Sequence, residues 1–174
     1  NWGSSLTVVV TNSAAPSARA PAIVNIGTGV GLSVRQLCER VAEILGADPT
    51  LLDFGALMAA AQLVGLADAM LDQSAAYAKI RTQFGQPIGA FQAVKHQLAT
   101  AAVAIEFAKP VLWRAAQALS DGLVSAPVHI SHAKIAASDA AIQMAETAIQ
   151  VHGAMGYTYE VDLHFWMKRS WALA

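Results

Sequence analysis

Tyr77-Ala78-Lys79-Ile80-Arg81-Thr82-Gln83-Phe84-Gly85-Gln86-Pro87-Ile88 lies between two long stretches that both read as helix. Upstream, from Asp53, the residues Leu57, Ala60, Ala61, Val64, Ala67 and Leu71 form one stripe at helical period, which predicts a helix to about Phe84. Gly85-Gln86-Pro87 breaks it, since proline has no N–H to give a helix. Downstream, a second helix is expected from about Ala90 to Leu119, kinked or split at Pro110, and ended by Ser120-Asp121-Gly122. A third starts near Ser125, tolerates Pro127 in its first turn, and runs to Gln150 or His152, where Gly153 and Gly156 end it. A fourth, from about Glu160 to Ala174, carries Leu163, Phe165, Trp166, Trp171 and Leu173. Connections of roughly 3–8 residues favour antiparallel neighbours. The expected fold is mainly α. An antiparallel up-down helical bundle of about four long helices occupies residues 58–174, with a small α/β-like appendage over residues 1–57.

In the appendage, Leu6-Thr7-Val8-Val9-Val10 is β-branched and reads as a short strand, and Ile23-Val24-Asn25-Ile26 as a second. Thr11 to Pro21 is a Ser-, Ala- and Pro-rich loop, and Gly27-Thr28-Gly29-Val30-Gly31 is a tight turn. Ser33 and Gln36 have capping-box spacing. Val34, Leu37, Cys38, Val41, Ile44 and Leu45 follow on one helical face, with Gly46 and Pro49 as the stop.

Of 174 residues, 55% are hydrophobic and only 13% charged, about half the usual charged share. Such a chain either spans a membrane or buries more than one face of its helices. The longest apolar stretch, Phe54 to Ala67, contains Gln62, is fenced by Asp53 and Asp68, and is shorter than the roughly 20 residues a membrane helix needs. No membrane is expected, and the excess apolarity is assigned to burial against other subunits or domains. A net charge of −1 without a run of Lys or Arg predicts no attraction to nucleic acid. The single Cys38 excludes an intrachain disulfide and fits a cytoplasmic setting. Asn1-Trp2-Gly3-Ser4-Ser5 lacks a basic signal-peptide region and an initiator Met, so a fragment or a processed product is expected.

The opening motif continues as Phe91-Gln92-Ala93-Val94-Lys95-His96. A second motif is Gln150-Val151-His152-Gly153-Ala154-Met155-Gly156-Tyr157-Thr158, followed by Glu160, Asp162, Leu163, His164, Lys168 and Arg169. Taken singly, Arg81 is a cation complementing a helix C-terminus, and Gly153 and Gly156 are helix-end glycines. The two motifs, in this order and at this separation, resemble the paired signatures of the acyl-CoA dehydrogenase C-terminal domain. The resemblance covers residues 58–174. It implies binding of the adenine-diphosphate half of FAD across a subunit interface. Arg81 and Gln83 would contact the pyrophosphate and Phe84 would line the site. Gln150 and Gly153 would come from the neighbouring subunit, with Gly156 in the same turn. A pyrophosphate does need a cation and open backbone donors. Where many relatives carry a second glycine this chain has Ala154, whose methyl group would crowd the approach. The implied partners are a second copy, or another acyl-CoA dehydrogenase-like subunit in a hetero-oligomer, with acyl-CoA as substrate only in a complete enzyme.

His96, His129 and His132 read as solvated or packing residues. His152 and His164 flank a turn with Glu160 and Asp162 between them, a conceivable metal set. The same residues belong to a signature that binds no metal, and none is expected. The resemblance implies a glutamate base in one of two places. One lies beyond Arg169, where the chain stops at Ala174, and the other falls on Gly55, beside Ala56, neither able to act as a base. Asp53 is about half a turn off that face. No catalytic residue is assigned, and the isolated chain is expected to be inactive.

Residues 22–57 resemble a segment of NAD-dependent sugar-nucleotide epimerases and dehydratases, on Ile23-Val24-Asn25-Ile26-Gly27-Thr28-Gly29, Ser33-Val34 and Leu51 to Leu57. Gly27, Gly29 and Gly31 do not have the spacing of a dinucleotide loop, and the alternative is an ordinary glycine turn before a capped helix. If the resemblance is real, two unrelated pieces join near Leu57. The leading function is the FAD-binding and oligomerising part of an enzyme oxidising an acyl-CoA at Cα–Cβ. The alternatives are a non-catalytic helical interaction module and, third, a fragment of a sugar-nucleotide epimerase.

Overall fold

A computed structural model of the chain describes residues 7–10, 22–25 and 49–174. The expected glycine turn at Gly27–Gly31, the helix through Val34–Leu45 and the loop from Thr11 to Pro21 lie outside the described residues. The chain divides into two units, Asn1–Leu52 and Asp53–Ala174. In the first, β1 (Thr7–Val10) pairs antiparallel with β2 (Ala22–Asn25), with Thr7 opposite Asn25 and Val10 opposite Ala22. These strands coincide with the β-branched runs to within a residue.

The second unit is a helical bundle. Its helices are α1 (Pro49–Ile80), α2 (Gln92–Ser120), α3 (Ala126–His152) and α4 (Leu163–Leu173). Three are long, at 32, 29 and 27 residues, and α4 has only 11. The antiparallel arrangement follows from which side chains share a cluster. Leu57 near the start of α1 packs with Ala115 late in α2 and with Ile130 and Ala133 early in α3. The larger cluster joins Leu63, Ala67 and Met70 of α1 to Ala101 and Ile105 of α2, Met144 and Ala148 of α3, and Leu163 and Met167 of α4. Cross-links agree with this order. Lys109 of α2 lies 3.1 Å from Asp68 of α1, and Arg169 of α4 donates to Gln62 Oε1 of α1 at 2.9 Å. Much of the interior is alanine, including Ala60, Ala101, Ala137, Ala141, Ala145 and Ala148. Small side chains let helix axes approach toward the short end of the usual 8–10 Å range.

The elements depart from the sequence expectation at several points. α1 begins at Pro49, four residues before the expected start at Asp53, and the helix that Pro49 was expected to stop lies outside the described residues. A proline is compatible with a first helical position, where its missing N–H would be unpaired anyway. The expected stripe holds at Leu57, Ala60, Val64 and Ala67, but Ala61 is exposed and Leu71 only half-buried. Leu63 and Met70, both fully buried, belong there instead. By length and composition α1 could cross a membrane from Leu51 to Ile80, yet its buried residues form part of the bundle core. α2 passes through Pro110 as one helix rather than splitting, and Pro110 is exposed. α4 begins at Leu163 instead of Glu160, after Gly153–Tyr157 has turned as a short 3-10 helix.

α1 also stops at Ile80, short of Phe84, because a tiny hairpin follows. β3 (Thr82–Gln83) pairs with β4 (Gln86–Pro87), leaving Phe84 and Gly85 as a two-residue loop. Their φ angles are +52° and +82°, the sign pattern of a type I′ turn, whose hand matches the strand twist. Glycine adopts this region freely, whereas phenylalanine does so rarely. A 3-10 turn, Ile88–Ala90, then leads into α2.

Candidate functional site

The ends of α1 and α3 meet. Tyr77, in the last turn of α1, stacks on His152, the last residue of α3, with ring centroids 4.3 Å apart and planes inclined by 22°. His152 is 4% exposed, and its Nδ1 lies 2.8 Å from the Ala148 carbonyl. A carbonyl only accepts, so Nδ1 carries the proton and donates.

Arg81 follows directly. Its N–H donates to Tyr77 O at 2.9 Å, and its carbonyl accepts from Ile88 N–H at 2.8 Å, which ties the hairpin to the helix end. With the backbone pinned on both sides, the Arg81 side chain is exposed, and among the described residues it enters no ion pair. Gln83 is exposed in β3. Phe84 is 92% exposed at the hairpin tip and meets Phe91 edge-on at 6.3 Å.

On the α3 side, Gln150 is exposed in the last turn. Gly153 ends the helix at φ +60°, ψ −138°, with its N–H donated to Ile149 O. A Cβ built there would meet nothing within 4 Å, so the need for glycine is set by the backbone, and the face is open. Gly156 differs, being buried. A Cβ on it would come within 3.2 Å of Ile149 Cδ1 and 3.3 Å of His152 Cβ. Its lack of a side chain seats the turn against α3, so it shapes the site from beneath. Ala154 is exposed, with its methyl group outward of that packing.

Both motifs therefore lie at helix C-termini, where unpaired carbonyls carry partial negative charge. An anion beside these two helix ends gains nothing from their dipoles, and the attraction there comes from Arg81, with Lys79 exposed two residues before it. The resemblance placed Gln150 and Gly153 on a neighbouring subunit relative to Arg81. Within a single chain the two segments already adjoin through Tyr77 and His152.

The carboxylates near the second motif take no part in this arrangement. Among the described residues neither Glu160 nor Asp162 pairs with Lys168 or Arg169; Arg169 bonds Gln62 instead. Asp162 occupies the cap position of α4 without a side-chain cap bond. His164 is 3% exposed, donates from Nδ1 to Val161 O at 3.1 Å, and leaves Nε2 buried without a partner. No three His, Cys, Asp or Glu side chains group as a metal site among the described residues. Gly55 lies within α1, exposed and with open space around it.

The link missed in the sequence is the Tyr77–His152 pair. Both residues lie inside the motifs, but ring stacking across the bundle leaves no trace in spacing along the chain.

The family model for the acyl-CoA dehydrogenase C-terminal domain matches residues 34–173. Acyl-CoA dehydrogenase IpdE2 of Mycobacterium tuberculosis is 39% identical over 128 residues, which is 74% of this chain and 38% of that protein. The short-chain specific acyl-CoA dehydrogenase of Bos taurus mitochondria is 40% identical over 110 residues, 63% of this chain and 26% of that protein. Among solved structures, butyryl-CoA dehydrogenase from Megasphaera elsdenii superposes with a TM-score of 0.68 at 34% identity, covering 70% of this chain and 32% of that one. The chain thus spans well under half the length of these relatives. With a matching family model over most of its length and the same helical fold, the chain belongs to the acyl-CoA dehydrogenase family, whose C-terminal helical domain it contains.

Proposed function

We propose that this chain supplies the adenine-diphosphate contacts for FAD in a flavoenzyme that oxidises an acyl-CoA at Cα–Cβ. The observation that carries the reading is Arg81, an exposed cation without an ion-pair partner among the described residues, one turn beyond Tyr77, whose ring stacks on His152 next to the open Gly153 turn. The guanidinium would hold the pyrophosphate, with Gln83 and Gln150 as hydrogen-bonding neighbours and Phe84 covering the ligand. The flavin, when bound, supplies the hydride acceptor. The described residues supply binding and orientation, and none is assigned as the base. Because the two motifs adjoin in one chain, a single protomer can present both to a dinucleotide whose reactive ring lies elsewhere in an assembly.

Assembly is part of the same reading. Val103 and Phe107 stand one turn apart on α2, 54% and 71% exposed, an apolar surface suited to a second copy or a related subunit. The proposed setting is cytoplasmic, in keeping with a single cysteine.

The test is calorimetric titration of the full chain with ADP, together with the visible spectrum of the purified protein. Arg81→Ala is expected to weaken ADP binding by about 1.5–3 kcal/mol, the scale of a charged hydrogen bond, or roughly 10- to 150-fold. Equal ADP affinity in the two proteins would remove Arg81 from the site. A colourless oligomer that ignores ADP would leave the helical interaction module as the better account.

A further inference from the structure

We infer that Tyr77 and His152 form a positioning pair that holds Arg81 and the Gly153 turn in fixed register. This rests on the reading of Arg81 as the pyrophosphate ligand. The pair stands at the rim of the bundle and belongs to neither apolar cluster. His152 is nonetheless 4% exposed, and its ring is constrained from two directions, by the Nδ1–H bond to Ala148 O and by the Tyr77 face. Each partner is covalently close to one half of the site. Arg81 is one turn beyond Tyr77 and closes that turn by its own N–H bond to Tyr77 O. Gly153 is the next residue after His152.

Among the described residues no hydrogen bond or ion pair connects the segment 77–91 to the segment 150–158. Gly156 adds to the arrangement from the other side, since its missing Cβ lets the turn rest against His152 Cβ. The stack thus transmits the position of one helix end to the other. Its loss would free two ligand-bearing segments to move separately while the core clusters below remain packed.

The experiment compares His152→Leu, which fills volume without a ring, with His152→Phe, which restores a stacking face but not the Nδ1–H donor. Hydrogen exchange in the full chain is the ligand-free readout. The Arg81 and Gly153 amides are expected to exchange about tenfold faster in His152→Leu, and to return to within about twofold of wild type in His152→Phe. Ala67 and Ala141 amides in the core should stay unchanged in both. ADP affinity should follow the same order, falling about five- to tenfold in His152→Leu with recovery in His152→Phe. Wild-type exchange at Arg81 in His152→Leu, or a phenylalanine variant as loose as the leucine one, would overturn the pairing. Absence of ADP binding in the wild-type chain would defeat the reading of Arg81 instead, and the exchange ranking would still decide whether the stack sets the register.

Discussion

At Ala60, Ala67, Ala101, Ala137 and Ala141 the helices meet through small side chains in ordinary helical backbone, fully or almost fully out of water. At Arg81, Gln83, Phe84, Gln150 and Gly153 the same helices end in exposed groups, and two of these residues hold positive φ. The first region is stabilised by burial and tolerates little change in volume. The second spends conformational energy, since left-handed backbone costs phenylalanine roughly 1–2 kcal/mol, and it places polar atoms where the core has no use for them. Both positive φ angles arise locally, at Phe84 from the two-residue hairpin loop and at Gly153 from the end of α3. The two regions should therefore respond independently to substitution.

The largest separation is expected at Leu63. It is fully buried in the main cluster, and Leu63→Ala should lower unfolding free energy by about 2–5 kcal/mol in urea titration, with ADP affinity of the folded fraction unchanged. Arg81→Ala is the mirror case, losing about 1.5–3 kcal/mol of ADP binding while unfolding stability moves by less than about 0.5 kcal/mol. If both variants lost stability and binding together, the rim and the core would be one cooperative unit and the comparison would fail.

Two glycines sharpen the contrast, since a Cβ at either would meet open space. Gly153 sits at φ +60° and ψ −138°, so Gly153→Ala should cost about 1–3 kcal/mol of stability through backbone strain alone. Gly65 lies inside α1, so Gly65→Ala should add about 0.5–1 kcal/mol by helix propensity. Thermal unfolding of the pair gives the comparison directly. Shifts of the same sign would mean that conformation at Gly153 is not what selects glycine there.

The same division governs how much could be read beforehand. Burial leaves a periodic record, so four helices, two short strands and the antiparallel order were legible in the sequence. The record is blurred in α1, where alanines on several faces give little contrast. The stripe therefore included Ala61 and omitted Leu63 and Met70, which sit on the seam shared by α2, α3 and α4. The hairpin at Thr82–Pro87 was hidden because Phe84-Gly85 lacks the Asn-Gly or Asp-Gly signal usual for such turns. Arg81, Gln83, Phe84, Gln150, Gly153 and Gly156 stand out in the sequence only through the motif resemblance. The distinction between an open Gly153 and a packed Gly156 needed the backbone, because identical residues in one motif can be selected by conformation or by contact.

The smallest expected effect lies on the bundle flank, between core and rim, at two lysines shifted in opposite directions. Lys109 Nζ is 2.6 Å from Glu106 Oε1 and 3.1 Å from Asp68 Oδ1. The hydrogen bond to Glu106, then that to Asp68, raises its pKa above the ordinary 10.5. A raised lysine contributes stability that is present in full below pH 10.5 and fades as pH climbs through the folded-state value. Lys134 donates to Ser138 Oγ and to the Ala174 carbonyl, each at 2.9 Å, but burial lowers its pKa from 10.5. There the folded state disfavours the charge, so stability rises as pH passes from the lowered value toward 10.5. Lys109→Met should therefore cost about 0.2–1 kcal/mol at pH 8, the range of partly exposed ion pairs, with the gap to wild type closing above pH 10.5. Lys134→Met should show a gap that changes in the opposite sense, wild type gaining relative to the variant as pH rises toward 10.5. Urea unfolding at intervals from pH 8 to pH 11 reads both slopes. A Lys109→Met gap that widened with pH would show that its carboxylate partners do not stabilise the charged form, and that Asp68 and Lys109 merely lie side by side where α1 crosses α2.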